Sequence, residues 1–292
     1  MLVTLRQLDV LVAVVDEGGF GAAADSLRMS QSAVSHSLAA LEQSTGAPLV
    51  VRGQAIATTL LGDAVLAHAR CVLASVRALE ATVDLHRHGA MIGTVRLAAG
   101  VTASHRLVPD LLSRWRAELP GLDVRLFEGS DEELQTWLDT GAVDAAVLTE
   151  PDPIPLGAVV LARDDFRAVL RADHPLAGET RISLCDLTDD PMLASTSGCE
   201  PQIITMHAMA EFPYVPAQRV HETTTLLGMI EAGLGVAIMP ALARTMLTDN
   251  LVMVELDQHL ERTLIFTGPS GRPWHPSVER MRDVAEAATR PE

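Results

Sequence analysis

The stretch Phe20 to Glu42, FGAAADSLRMSQSAVSHSLAALE, reads as two short helices joined by a tight turn. The first, Gly21 to Leu27, carries Ala22, Ala23 and Ala24, side chains small enough for another helix to cross closely. Arg28 and Met29 make the turn, and Ser30 offers a hydroxyl to cap the second helix. There Val34, Leu38 and Leu41 fall at i, i+4 and i+7, which makes one buried stripe. At 100° per residue the opposite face holds Ser32, His36, Ala39 and Gln43, with Ser35 on its shoulder. Small, hydrogen-bonding residues on a helix held by a partner helix suit a reader of the DNA major groove. An amphipathic pair in any small α domain fits this segment equally well, so the flanks have to decide.

Upstream, LRQLDVLVAVVDEGG (Leu5 to Gly19) is a further amphipathic helix closed by Gly-Gly. Downstream, TGAPLVVRGQAIATTLLG (Thr45 to Gly62) stops the second helix at Gly46 and gives two short extended runs around a Gly53-Gln54 turn. Three helices and a two-stranded wing make a winged helix-turn-helix. On these residues the chain resembles the LysR-type transcriptional regulators. The LRQL opening, the AAxxL of the first motif helix, SQSAVSHSLAALE, the following G-x-PL-x-x-R and the T-x-x-G that enters the next helix all match that family's N-terminal pattern.

The resemblance implies that Gln31, Ser32, Ser35 and His36 face bases and phosphates, with Arg28, Arg52 and Thr59 beside the backbone of double-stranded DNA. Gln pairs bidentately with adenine, and His donates to guanine or phosphate. The chain also departs from the family, which often carries Arg or Lys at the positions of His36 and Ala40 and basic residues in the wing; GQAIATT has none. Residues 1–62 hold Arg6, Arg28 and Arg52 against five carboxylates, a net charge of −2. The basic patch that usually marks a DNA binder is missing, which predicts weak sequence-independent binding.

The 292 residues leave room for a second, larger module. Hydrophobic content is 48% with only 3% aromatic, so the core is aliphatic, and the formal net charge is −16. All 22 basic residues are arginine, which fits a GC-rich coding sequence better than any function. No signal-peptide pattern opens the chain and no apolar run approaches a membrane span. Cys71, Cys185 and Cys199 are odd in number and widely spaced, as in a reducing compartment. A cytoplasmic protein with no membrane contact, no cofactor and no metal is expected. His86-x-His88 is a weak metal pair, and the ten histidines have no regular ligand spacing.

From Asp63 to about Arg87 no Gly or Pro interrupts a helical segment in which Val65, Ala69, Val72, Val76, Leu79 and Val83 follow the 4-3-4-3-4 seam of a coiled coil. Under three heptads long, such a seam equally fits a helix packed on a domain surface. LysR-type regulators dimerise through a linker helix here, which implies a homodimer or homotetramer.

Beyond residue 92 strand and helix patterns alternate. Thr94–Gly100, Asp123–Glu128 and Asp144–Thr149 read as strands separated by helices at Ser104–Leu119 and Asp131–Thr140, a βαβαβ order that implies a mostly parallel sheet. A second set follows Pro151, Pro153 and Pro155, and the chain returns at TLIFTG (Thr263 to Gly268) before a last helix, Pro276 to Ala288. The expected fold class is therefore α+β multidomain. A winged helix-turn-helix (1–62) and a linker helix (63–92) precede a two-lobed α/β effector domain (93–292), with lobe I at 93–162 and 267–292 and lobe II at 163–266. The resemblance names this last module the type 2 periplasmic-binding-protein-like effector domain, and TTTLLGMIEAGLGVAIMP (Thr223 to Pro240) matches its most recognisable stretch.

Parallel α/β sheets bind ligands at the carboxyl ends of their strands, where helix N-termini also point. That selects Val101, Thr102, Ala103 and Ser104, then Gly129, Ser130 and Thr149 in lobe I. In lobe II it selects Ser195, Thr196, Ser197, Thr223 and Thr224. The matching loops form the small-molecule effector cleft in the resembled family, although each hydroxyl alone equally fits a helix cap. Helix N-termini favour a carboxylate effector, whereas Glu128, Glu150 and Glu200 near the same loops oppose one. Cys199, in SGCEP, admits a thiol-sensor alternative because some relatives sense oxidants with a cysteine in this region; no resolving thiol lies nearby in sequence. No catalytic signature accompanies the hydroxyls and carboxylates, so the chain reads as a ligand-responsive regulator on an interrupted inverted repeat, not an enzyme.

Overall fold

The computed structural model describes residues 3–53, 55–89, 91–151 and 153–289. The head is built from helices α1 (Leu5–Asp16), α2 (Phe20–Ser26) and α3 (Gln31–Thr45) and an antiparallel wing, β1 (Val50–Val51) and β2 (Ala57–Thr58). Val34, Leu38 and Leu41 are fully buried and meet Val10, Leu11 and Val14 of α1 and Ala23 and Ala24 of α2. Each of these valines and leucines contributes about 1.5–3 kcal/mol of burial free energy, while the alanines allow the close crossing. Ser30 caps α3 by accepting the Ala33 N–H at 3.2 Å, and Gly46 ends it with φ of 82°. Arg28 holds φ of 54° in the turn between α2 and α3. The Met29 N–H donates to Ala24 O at 2.8 Å and closes that turn. The wing turn is described on its Gly53 side; Gln54 lies outside the described residues.

A single helix, α4 (Leu60–His88), leaves the head. It starts at Leu60, earlier than the expected boundary at residue 63, because the Thr59 hydroxyl accepts the Gly62 N–H at 2.9 Å while donating to Pro48 O at 2.9 Å. Gly62 lies so close to the wing that a Cβ there would overlap the Leu49 carbonyl oxygen. The first turns of α4 complete the head core through Leu66 and Val65. The expected seam is therefore split. Val65 and Ala69 are taken up within the chain, whereas Val72, Leu79 and Val83 are exposed and Val76 is half-buried.

Lobe I begins with β3 (Gly93–Ala99), α5 (Val101–Glu118), β4 (Leu122–Glu128), α6 (Asp131–Thr140), β5 (Ala145–Thr149) and β6 (Val159–Asp164). Lobe II holds β7 (Phe166–Arg171), β8 (Arg181–Ile182), β9 (Leu193–Ser195), α7 (Glu200–Met209), β10 (Gln218–Val220), α8 (Thr223–Glu231), β11 (Ala237–Pro240) and β12 (Leu251–Leu256). The chain returns through β13 (Arg262–Thr267) and ends its described part in α9 (Pro276–Thr289).

The lobe I sheet runs β4-β3-β5-β13-β6, with β3 parallel to β4 and β5 and β13 antiparallel to β5 and β6. The return therefore belongs to lobe I from Arg262, not from residue 267: Phe266 pairs with Val147 and Leu264 with Thr149, so all of β13 is laced into that sheet. Lobe II is more antiparallel than the alternating pattern implies, with order β11-β7-β12-β8 and a separate parallel pair, β9 and β10. Trp115, Phe266 and Met281 centre the lobe I core, and the Trp115 indole donates to Met281 O at 2.9 Å.

A polar cluster joins linker to lobe. Asp144, 3% exposed at the start of β5, accepts from Arg96 Nη2 at 2.7 Å, Nε at 3.1 Å and its backbone N–H at 3.0 Å. Arg77 of α4 approaches the same carboxylate at 4.0 Å. Burial pulls the Arg77 guanidinium down to about 10, and Arg77 in turn works against the burial that raises Asp9 of α1. Head, linker and lobe I thus share one electrostatic neighbourhood.

Candidate functional site

In the head, Gln31, Ser32 and His36 are exposed and Ser35 is half-buried; Ser32 and His36 lie opposite the core stripe, Ser35 on its shoulder and Gln31 at the first position of α3. The Ser32 hydroxyl lies 3.0 Å from that of Ser30, at the entrance to the helix. Arg28 is exposed in the turn. Arg52, also exposed, stands over the Phe20 ring at 5.1 Å and 3.7 Å from Glu42. Thr59 is half-buried, with its hydroxyl engaged in the α4 cap and the Pro48 carbonyl.

The second site lies between the lobes. Chain crossings at Asp164–Phe166 and at Arg262 leave α5 and α6 of lobe I facing α7 and α8 of lobe II. Val101, Thr102, Ala103, Thr149, Ser195, Ser197 and Thr223 line its floor. One mouth, about 350 Å³, adds Gly129, Ser130 and Thr224. The other, about 420 Å³, adds Thr196 beside Ser130. Ser104 alone of the expected residues stays outside, its hydroxyl turned back 3.5 Å to Ala99 O. Helix α5 begins at Val101 rather than at Ser104, so Ser104 sits inside the first turn, with its hydroxyl spent on the Ala99 carbonyl.

Three charged residues escaped the sequence reading: Arg262 and Asp131, which line the floor, and Asp164, which holds Arg262 from behind. Arg262, 2% exposed, donates from Nη2 and Nε to Asp164 Oδ2 at 2.7 and 3.1 Å. The same guanidinium donates to Thr102 Oγ1 of lobe I at 3.2 Å and to Cys199 Sγ of lobe II at 3.7 Å. One side chain therefore touches both lobes at the hinge. Asp131 opens α6 against the floor; burial pushes its carboxyl up, while Arg262 and the Thr149 hydroxyl pull it down. These partners are 98 and 160 residues from Arg262 in the chain, beyond any local pattern.

Cys199 is a free thiol at the start of α7. Burial pushes it up to about 11, against an opposing pull from Arg262. Among the described residues no group of His, Cys, Asp and Glu is disposed to hold a metal ion, and the His88 side chain lies outside them. No described helix is long and apolar enough to cross a membrane.

A winged helix-turn-helix joined by a long helix to a two-lobed, hinged α/β module defines a regulator that reads DNA with one end and a small molecule with the other. Two family models match this chain: "Bacterial regulatory helix-turn-helix protein, lysR family" over residues 5–63 and "LysR substrate binding domain" over residues 88–290. The chain belongs to the LysR family of transcriptional regulators. It is 32% identical to the uncharacterized HTH-type transcriptional regulator YvbU of Bacillus subtilis over 271 residues, 91% of this chain and 92% of that one. It is 30% identical over 246 residues to a Mycobacterium avium protein named "Probable hydrogen peroxide-inducible genes activator", covering 81% and 78%. The full-length structure of CbnR complexed with its target DNA superposes with a TM-score of 0.70 at 21% identity, over 98% of this chain and 100% of that one.

Proposed function

We propose that this LysR-family regulator responds to a small-molecule effector held between its lobes and binds, as a homodimer or homotetramer in the cytoplasm, an interrupted inverted-repeat operator. The carrying observation is the floor of the cleft, where Arg262 reaches Thr102 from one lobe and Cys199 from the other. A ligand entering there replaces contacts that set the angle between the lobes. In the head, Gln31, Ser32, Ser35 and His36 are the base-reading group, and Arg28, Arg52 and Thr59 lie along the backbone. Val72, Val76, Leu79 and Val83 form the self-association seam, since they are the seam members left available once Val65 packs on the head core and Ala69 is buried within the chain.

Footprinting on the chain's own upstream region, with and without candidate metabolites, tests this reading. A metabolite should alter the footprint of the wild type and not of Thr102→Ala/Thr196→Ala. A footprint insensitive to every metabolite that raises the melting temperature would refute it.

A second reading, redox sensing at Cys199, draws on the arginine 3.7 Å from its sulfur and on the name of the mycobacterial relative. Against it, a thiol held up at about 11 is almost wholly protonated at neutral pH, the opposite of what an oxidant sensor needs. Peroxide should leave the footprint unchanged. An oxidant-dependent footprint abolished by Cys199→Ser would put this reading first.

A further inference from the structure

We infer that the effector of this cleft is a small organic cation, an amine or guanidine, and not the carboxylate that a cluster of helix N-termini would select. The inference rests on the cleft being the effector site. Four helices, α5 to α8, point their N-termini at the cleft, each equivalent to about half a positive charge. Three of those ends are already answered by this chain's own acids. Asp131, Glu132 and Glu133 occupy the first turn of α6, Glu200 the first turn of α7, and Glu222 the N-cap position of α8. Only α5 starts without an acid.

The buried cation that could have restored a positive field is also answered, since Arg262 is locked to Asp164 at 2.7 Å. What remains at the first mouth is three carboxylates, Glu128, Glu133 and Glu222, facing His105 and His221. Glu133 is fully committed to the anion, because the Ser130 backbone and hydroxyl hold its carboxyl below the usual range with His221 nearby. Asp131, Glu132 and Glu200 line the second mouth, where Arg219 offsets only Glu200, at 3.0 Å.

Thr223 is an independent pointer to a ligand. It is 7% exposed, lines both the floor and the first mouth, and its hydroxyl has no hydrogen-bond partner among the described residues. That hydroxyl opens onto the cleft with no partner within the chain, so a bound ligand can pair with it, and its lone pairs accept from an ammonium set among the carboxylates.

The test uses the full chain and two sets of probes matched in shape: 1,4-diaminobutane, 1,4-butanediol and succinate; benzylamine, benzyl alcohol and benzoate. Calorimetry and melting temperature are read for the wild type, Glu128→Gln/Glu222→Gln and Thr223→Val. Neither carboxylate makes a hydrogen bond or ion pair among the described residues, so the double variant should fold normally. At least one amine should bind the wild type, with affinity falling about tenfold or more in each variant, the loss expected for a charge-assisted contact. Binding of an acid in preference to its amine, lost in Thr223→Val, would overturn the charge assignment while leaving the cleft as the effector site. Amine binding indifferent to all three substitutions would place the ligand elsewhere and overturn both. Silence from all six probes would overturn the cation assignment alone, since metabolite footprinting tests the cleft separately.

Discussion

Replacing Arg262 by methionine removes the positive member of a pair in which both side chains are about 3% exposed. Breaking a buried pair from one side costs about 3–5 kcal/mol, because the remaining charge keeps its desolvation penalty and loses its partner. Asp164 would still accept the backbone N–H groups of Leu242 at 3.2 Å and Asp165 at 2.9 Å, which places the expected cost near 3 kcal/mol, the lower end of that range. Arg262→Met/Asp164→Leu removes both charges at once. It leaves those two N–H groups without their acceptor, so it should fall about 1–2 kcal/mol below the wild type and above the single variant. Urea denaturation followed by tryptophan fluorescence reports on lobe I directly, since Trp115, Trp137 and Trp274 all pack in its two cores. A loss below about 1 kcal/mol for Arg262→Met, or a double variant no more stable than the single one, would refute the view that this pair fastens the hinge.

His36→Ala should leave the melting temperature of the head unchanged, because His36 is exposed opposite the core stripe, yet weaken operator binding by about 1–3 kcal/mol in a gel-shift titration. Residues 1–62 supply only Arg6, Arg28 and Arg52 as permanent cations. The slope of log affinity against log salt for a dimer should therefore not exceed about 5 in magnitude, and a slope near 10 would mean that other arginines touch DNA. Thiol alkylation of Cys199 should have its midpoint near pH 11, well above an ordinary cysteine. Because the folded thiol is raised above its unfolded value of about 8.5, its contribution to stability is complete below pH 8.5 and is lost as pH rises towards 11. Cys199→Ser should flatten that alkaline decline. Val76→Asp should lower the oligomeric state in sedimentation and cost more operator affinity than His36→Ala, since paired heads bind with an effective local concentration that single heads lack.

The head was legible because its information is local. Cap, stripe and stop in α3 all lie within Ser30 to Gly46, and each residue does there what its spacing implies. The long helix was legible as a helix but not in its allegiance. Periodicity placed Val65 and Val72 on one seam, whereas packing gives the first to the head and exposes the second. In lobe II the two-residue strand β8 offers no periodicity to read, and the antiparallel β12 follows a 3-10 turn where an alternating pattern implies a crossover helix. The cleft loops could be found from strand ends, so eleven of the twelve expected residues line it; Ser104, inside the first turn of α5, does not. Arg262, Asp164 and Asp131 carry no local signature, since their meaning comes from partners brought together by the two chain crossings.

The unbroken helix α4 gives the chain mechanical leverage. At about 1.5 Å per residue its 29 residues span about 43 Å. Gly62 seats one end against the wing, while Arg77 and the Cys71 thiol, which donates to Thr140 O at 3.2 Å, seat its middle on lobe I. The head end lies about 17–26 Å from those anchors, so a tilt of about 10° at the lobe would carry it through about 3–4 Å, comparable with the 3.4 Å rise between successive nucleotides. A rotation of that size at the lobe would therefore become a shift of about one base pair where the head meets DNA.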